Sequence, residues 1–281
     1  MIDIGVNFHN KQLEGKTADL IHRAKQSGVS AVFATGTDLD SSRKAAKLAS
    51  QHPGYIYATA GLHPHNADKW NPYPFDTLAE LWKNISTFDW NDFHANQLPE
   101  LWTLPSVVAI GECGLDYNRM FSTRENQLKV FEIHVQAAIQ HKKPLFLHNR
   151  DSFEDFRAIT SSAAKAGAAG VVHCFTGSLA EAKAHLDDGF HLGITGWVTE
   201  KRGETLREAV RYIPLDRLHL ETDAPYLSPK NNPKRGPSNE PAHLIWVAKS
   251  VAEVKGLDVA DVYNTCTENS RRLFNLPLAQ L

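Results

Sequence analysis

Cysteine is scarce. Cys113, Cys174 and Cys266 are the three in 281 residues, too few and too widely spaced for a disulfide framework. No apolar run approaches the ~18 residues that a membrane-spanning helix needs. Met1-Ile2-Asp3 carries a carboxylate where a signal peptide would be basic and then apolar. Charge of one sign is not in excess either: 30 Lys and Arg stand against 32 Asp and Glu, for a net charge of −2. That balance excludes a protein that coats nucleic acid through a global basic field. A hydrophobic content of 42% excludes a disordered chain. The expectation is a soluble cytoplasmic monomer with no membrane association.

Histidine, by contrast, is plentiful, with 14 residues. Short apolar runs alternate with longer amphipathic stretches along the whole chain. The strand candidates are Ile2–Phe8, Ala31–Thr35, Ile56–Leu62, Val107–Gly111, Pro144–His148, Gly170–Cys174, Phe190–Thr195 and Arg217–Glu221. Helical patterns lie between them, as in Lys16–Ser27, Asp40–Gln51, Thr123–His141, Phe153–Ala166, Leu179–Asp187 and Glu204–Tyr212. Continuous apolar strands alternating with helices imply parallel strands buried on both faces. A doubly wound sheet would usually place a glycine-rich phosphate loop after its first strand, but here that strand runs into Gly5-Val6-Asn7-Phe8-His9. The pattern therefore predicts an α/β fold, a (β/α)8 TIM barrel forming one domain over residues 1–281. Asn84–Pro105, polar and aromatic, should lie on the N-terminal face of the barrel. Ser228–Pro241, which follows the last strand, should lie on the opposite face.

Barrel enzymes build their sites where strands end. Here the third strand ends in His63-Pro64-His65, the fourth in Glu112-Cys113-Gly114-Leu115-Asp116, the fifth in His148, the sixth in His173 and the eighth in Glu221-Thr222-Asp223. One such histidine is more often structural than functional, and one carboxylate can simply cap the next helix. Five strands aimed at one volume are harder to dismiss. Buried imidazoles and carboxylates held together call for a neutralising cation. Mixed nitrogen and oxygen ligands suit Zn²⁺ or Mn²⁺, and Mg²⁺ where carboxylates and water dominate. Cys113 and Cys174, each beside such a residue, should point away as buried packing residues. His22, His52, His94, His134 and His141 read as ordinary surface residues.

The blocks Ile110-Gly-Glu-Cys-Gly-Leu-Asp-Tyr117, His173-Cys-Phe-Thr-Gly177, Gly193-Ile-Thr-Gly-Trp197, Glu221-Thr-Asp-Ala-Pro-Tyr226 and Asn239-Glu-Pro241 resemble the TatD family of metal-dependent deoxyribonucleases, in order from Asp3 to about Phe274. The resemblance implies an amidohydrolase-like, metal-dependent TIM-barrel hydrolase. It also implies 3′-to-5′ exonuclease activity on single-stranded DNA, and on RNA, supported by one or two divalent ions, Mg²⁺ first among them, with a role in DNA repair or turnover. Glu112, His148 and His173 match the family's metal ligands, and Asp223 its last-strand aspartate, which touches the metal or the attacking water. Much of the family carries Asp-x-His-x-His on the first strand. Here Asp3 is kept, but Gly5 and Asn7 replace the histidines, and His9 is a distant substitute.

Phosphodiester hydrolysis needs an activated water, a cation on the phosphoryl oxygens and help for the leaving 3′-oxygen. Asp223 and Glu112 are the catalytic candidates, and Glu112, His148, His173 and Asp223 the metal set. His63 and Arg150 are the candidate substrate-binding residues, although packing would equally explain His63. Basic residues on the expected functional face (Arg119, Arg124, Arg150, Lys201, Arg202, Lys230, Lys234, Arg235) would supply local attraction that the net charge does not. Tyr117, Phe175, Trp197 and Tyr226 are available to stack on bases. Asn239 is a candidate helix cap and Glu240 a candidate to support the site. Two other readings stay open. One is a barrel metallohydrolase of a small amide, ester or lactone; the other is a binding protein that has lost turnover.

Overall fold

The apolar runs become β1 (Ile2–Val6), β2 (Ala31–Ala34), β3 (Ile56–Ala60), β4 (Val107–Asp116), β5 (Leu145–Arg150), β6 (Gly170–Val172), β7 (His191–Ile194) and β8 (Leu218–Leu220) in a computed structural model that describes residues 1–69 and 98–277. They form one parallel sheet in sequential order. A bridge between Val6 and Ala224 brings the two ends together. The helices around it are α1 (Thr17–Gln26), α2 (Leu39–Gln51), α3 (Leu98–Thr103), α4 (Arg124–His141), α5 (Phe153–Lys165), α6 (Leu179–Asp187), α7 (Glu204–Tyr212), α8 (Leu244–Lys255) and α9 (Val259–Leu273). This is the expected (β/α)8 barrel.

Strand alternation divides the apolar residues into two layers. Ile2, Ile4, Phe33, Tyr57, Val108, Phe146 and Val171 fill the interior, and Phe274, just after α9, packs edge-on against Phe33 with ring centroids 4.7 Å apart. Val32, Ala34, Ile56 and Ala58 face the helices instead. The seam between first and last strands is polar. The buried Asp3 carboxylate accepts from the Thr222 amide at 2.9 Å and the Thr222 hydroxyl at 2.6 Å, and the Asn7 amide donates to the Ala224 carbonyl at 2.8 Å. Asp3 thus closes the barrel. Burial, only partly offset by those bonds, pushes its carboxyl up to about 8.

Two expectations change, for β4 and for His134. β4 does not stop at Gly111 but continues to Asp116, pairing with β5 as far as Asp116 opposite Arg150. Gly114 allows the close approach, since a Cβ there would lie 1.9 Å from the His148 carbonyl oxygen. Of Asn84–Pro105, residues 84–97 lie outside the described residues; the rest forms α3, with Leu98 and Trp102 buried and the Trp102 indole donating to the Ala60 carbonyl at 2.9 Å. His134 is not a surface residue. It is fully buried in α4, donates from Nδ1 to the Val130 carbonyl at 2.8 Å and accepts at Nε2 from the Leu62 amide at 3.0 Å. It therefore fixes the backbone immediately before His63.

Candidate active site

A cavity of about 730 Å³ opens where the strands end, lined by Glu112, His148, His173, Asp223, His63 and Arg150 among others. All six residues singled out from the sequence are brought together there. At its floor three imidazoles meet one carboxylate oxygen. Oε1 of Glu112 lies 2.9 Å from His173 Nε2, 3.0 Å from His148 Nδ1 and 3.2 Å from His63 Nε2. Burial alone would raise the Glu112 carboxyl, but His173 and His63 hold it well below the usual range. His173 is likewise pushed down by burial, and the Glu112 and Glu221 carboxylates more than reverse this, so it binds its proton tightly. Protons on imidazoles therefore balance Glu112, the role a cation would take.

The donor chemistry fits a divalent ion. His63, Glu112 and His148 offer ligand atoms all within 4.8 Å of one another, a mixed nitrogen and oxygen set of the kind Zn²⁺ or Mn²⁺ accepts. His63, read from the sequence as a phosphate-binding candidate, sits as near the centre as the expected ligands do. Burial pushes its imidazole down to about 4, which keeps a lone pair available.

Two carboxylates that the sequence reading left without a role hold these histidines in place. Asp116 Oδ2 lies 2.7 Å from His65 Nε2 and 3.3 Å from His148 Nε2, while its Oδ1 accepts from the Asn118 and Arg119 amides at 3.0 Å each. Against the effect of burial, those imidazoles and amides keep Asp116 ionised far below its ordinary range. Glu221, fully buried, accepts from His173 Nδ1 at 3.2 Å and also from the Cys174 amide. Period-2 alternation was the available signal, because it places Glu112 and Asp116 on one face of β4. Glu221→Gln keeps the shape and removes the charge. It is expected to weaken divalent-ion affinity 10- to 100-fold, read by calorimetric titration with Mn²⁺ and Zn²⁺.

Glu221 also accounts for Gly5. A Cβ at residue 5 would lie 2.7 Å from Glu221 Oε2, and one at Gly193 2.4 Å from Oε1, so the space beside the first strand is taken by this carboxylate. Asn7 holds the segment that carries Asp223 through its side chain. Its amide donates to Asp223 Oδ1 at 2.9 Å and the Ala224 carbonyl at 3.2 Å. Asp223 has left-handed backbone with φ of 51°, and its carboxyl is pushed up to about 7, by burial first and by Glu112 and Glu221, with His173 opposing. His9 lines the cavity but stands outside the ligand cluster, 3.5 Å from the Thr37 hydroxyl.

Other expectations divide. Cys113 is fully buried and faces the Ile110 and Phe146 carbonyls, whereas Cys174 is half-buried and lines the cavity, because the backbone turns left-handed there (φ 46°) and breaks the strand alternation. Arg119, Arg150 and Arg202 line the cavity, as do Trp197 and Tyr226. Tyr117 and Arg124 do not; both bind Asp155, at 2.5 Å from the phenol and 2.8 Å from the guanidinium Nε. Asn239 is no helix cap. Its amide donates to the Thr222 and Tyr226 carbonyls at 2.9 and 2.7 Å, bracing the loop that carries Asp223. Glu240 pairs with Arg23 at 2.6 Å instead of supporting the site.

The sequence pattern of the TatD related DNase family matches residues 2–275. The chain belongs to that family. A 3′-5′ ssDNA/RNA exonuclease TatD from Pectobacterium carotovorum subsp. carotovorum is 41% identical over 279 residues, covering 98% of this chain and 100% of the relative. Its counterpart from Erwinia billingiae is 40% identical over 280 residues, covering 99% and 100%. Among solved structures, a TatD family hydrolase from Entamoeba histolytica superposes with a TM-score of 0.78 at 26% identity, covering 97% of each chain. A TatD homologue from Escherichia coli reaches 0.80 at 24% identity, covering 99% and 98%, and bears on the fold.

Proposed function

We propose that this chain is a divalent-metal-dependent nuclease that trims single-stranded DNA, and RNA, from the 3′ end by hydrolysing the terminal phosphodiester. The observation that carries this reading is the convergence of His63, His148 and His173 on Glu112 Oε1 beneath a rim holding Arg119, Arg150 and Arg202. Curated relatives about 40% identical over nearly the whole chain are named for this activity, which favours it over turnover of a small amide, ester or lactone. The reading takes residues 1–281 as one monomeric domain acting in the cytoplasm in DNA repair or turnover.

Glu112, His148, His173 and His63 would hold the ion, with Asp223 beside them, and a divalent ion bound there would stabilise charge on phosphoryl oxygens and make a water acidic enough to attack near neutral pH. Mg²⁺, which the family resemblance implies, is our first choice of ion, and Mn²⁺ or Zn²⁺, which imidazoles suit, are the alternatives. Asp223, held by Asn7 and titrating at about 7, is placed to take the proton from the attacking water. Arg150 at the cavity edge offers a fork of donors to a phosphate. Substrate attraction is local, in keeping with a net charge of −2.

The test is trimming of 3′-labelled single-stranded DNA with Mg²⁺, Mn²⁺ or Zn²⁺ and with chelator, for wild type and Asp223→Asn. Expected are loss of activity in chelator and a fall in kcat of about 10²- to 10⁴-fold in the variant with little change in KM. Activity that survives chelator, or full activity in Asp223→Asn, would overturn the reading. Turnover of a small ester without any trimming would install the alternative.

A further inference from the structure

A second cavity, of about 380 Å³, lies beside the first. Arg150, Trp197 and Arg202 line both and form their common wall. The Arg202 guanidinium stands 4.3 Å over the Trp197 ring, and Arg150 reaches the Thr176 hydroxyl at 3.4 Å. Beyond this wall the side cavity is lined by Phe175, Thr176, Asn149 and Thr205. Its two carboxylates are already engaged: Glu181 accepts from the Ser178 amide at 2.5 Å at the start of α6, and Asp151 accepts from the Asn118 amide group at 2.7 Å and lies 3.8 Å from Arg150 Nε, a distant and partly exposed pairing that leaves the rest of the guanidinium fork for another anion. The shared wall thus presents two guanidiniums and an indole face between the side cavity and the cavity that holds the ligand cluster.

Two arginines in a dividing wall call for an anion, and the scissile phosphate belongs at the ligand cluster. On its 3′ side the strand carries the terminal nucleoside and a free 3′-hydroxyl, with no further phosphate. On its 5′ side it carries another phosphodiester and another nucleotide. We infer that Arg150 and Arg202 hold the phosphate one step 5′ of the scissile one, and that the side cavity receives the nucleotide attached to it, its base against Trp197. This assignment rests on the exonuclease reading and extends it to a built site for the third nucleotide from the 3′ end. An indole already paired with a guanidinium offers a base a flat face without selecting its identity, which suits an enzyme that must trim any sequence.

Three substrates separate the parts. The dinucleoside monophosphate TpT lacks the second phosphate; pTpT has that phosphate without the third nucleoside; TpTpT has both. Wild type should cleave them in rising order of kcat/KM. Arg202→Ala should lower kcat/KM about tenfold more on pTpT and TpTpT than on TpT. Thr205→Trp, a substitution at an exposed position that fills the side cavity, should lower it about tenfold on TpTpT alone. Anisotropy of a fluorescein-labelled phosphorothioate TpTpT in chelator should show the same two variants binding more weakly, independently of turnover. Equal losses on TpT, or no loss on TpTpT, would overturn the subsite while leaving the exonuclease reading standing. A wild type that cleaves none of the three and trims no longer strand would overturn both.

Discussion

Replacing Glu112 by Gln should abolish divalent-ion binding and reduce 3′-trimming of single-stranded DNA by about 10³-fold or more, equivalent to ~4 kcal/mol of transition-state stabilisation. Three imidazole nitrogens lie within 3.2 Å of one oxygen of this carboxylate. Gln removes the charge and exposes the imidazoles to an amide that can present either a donor or an acceptor. Either presentation lowers affinity: the donor repels a cation, and the acceptor lacks the carboxylate's charge. Without its carboxylate partner His173 should also lose its high proton affinity, since Glu112 is the larger of the two attractions that sustain it. Titration with Mn²⁺ and Zn²⁺ reads the binding, and the ¹⁵N chemical shift of the His173 ring reads the proton. Retention of sub-micromolar ion affinity together with more than about a tenth of wild-type activity would remove Glu112 from the centre of the site.

The barrel and the residues of the candidate site were legible in the sequence for one physical reason. A parallel strand is buried on both faces, so a histidine or carboxylate at its end stands out against an apolar run, and the barrel directs every such residue to one volume. Glu112, His148, His173 and Asp223 were legible in this way. What joins them was not. Glu221 touches His173 across the one intervening strand, β7, Asp116 reaches His65 and His148 from the far end of β4, and Asn7 holds Asp223 across the seam. None of these pairs is close in the chain, so spacing does not reveal them, and alternation along β4 puts Asp116 on the face of Glu112 without naming its partners. The same limit explains His134. A histidine in the middle of a helix reads as polar, and only the packing of α4 against the loop that follows β3 shows that both its nitrogens are engaged. Cys174 failed in the opposite direction, because alternation holds only while the backbone stays extended, and there it does not.

Acid should unfold this protein well above the pH at which ordinary carboxylates are protonated. Away from the candidate active site, His134, His185 and His219 are fully buried and His191 nearly so. Burial depresses all four: His134, His185 and His191 to about 4, and His219 well below its ordinary value, with His191 and Arg272 adding to the effect on His219. In the unfolded chain each would titrate near ~6.5. The neutral folded forms therefore contribute stability that is fully present above ~6.5 and lost as pH falls from there towards about 4, because the unfolded state takes up the protons first. Each histidine gives a slope of ~1.4 kcal/mol per pH unit once fully engaged. Several together rival a typical folding free energy of ~5–15 kcal/mol within about two pH units. His185 isolates the effect. Neither ring nitrogen has a hydrogen-bond partner among the described residues, and Phe153, Phe156 and Phe175 present their rings around it at centroid distances of 5.4, 5.5 and 6.1 Å. His185→Leu strands no partner and removes one titration. Relative to its own stability at pH 7.5, the variant should lose ~2 kcal/mol less than wild type by pH 5, measured as urea unfolding free energy across that range. His219→Leu should behave otherwise, because its ring bonds to His191 at 2.9 Å and to the Ser270 hydroxyl at 2.9 Å; Ser270 keeps its bond to the Cys266 carbonyl at 3.0 Å, but His191 Nδ1 would be left unpaired, lowering stability at every pH by ~1–3 kcal/mol. Parallel pH profiles for wild type and His185→Leu would show that the buried imidazoles do not govern acid unfolding.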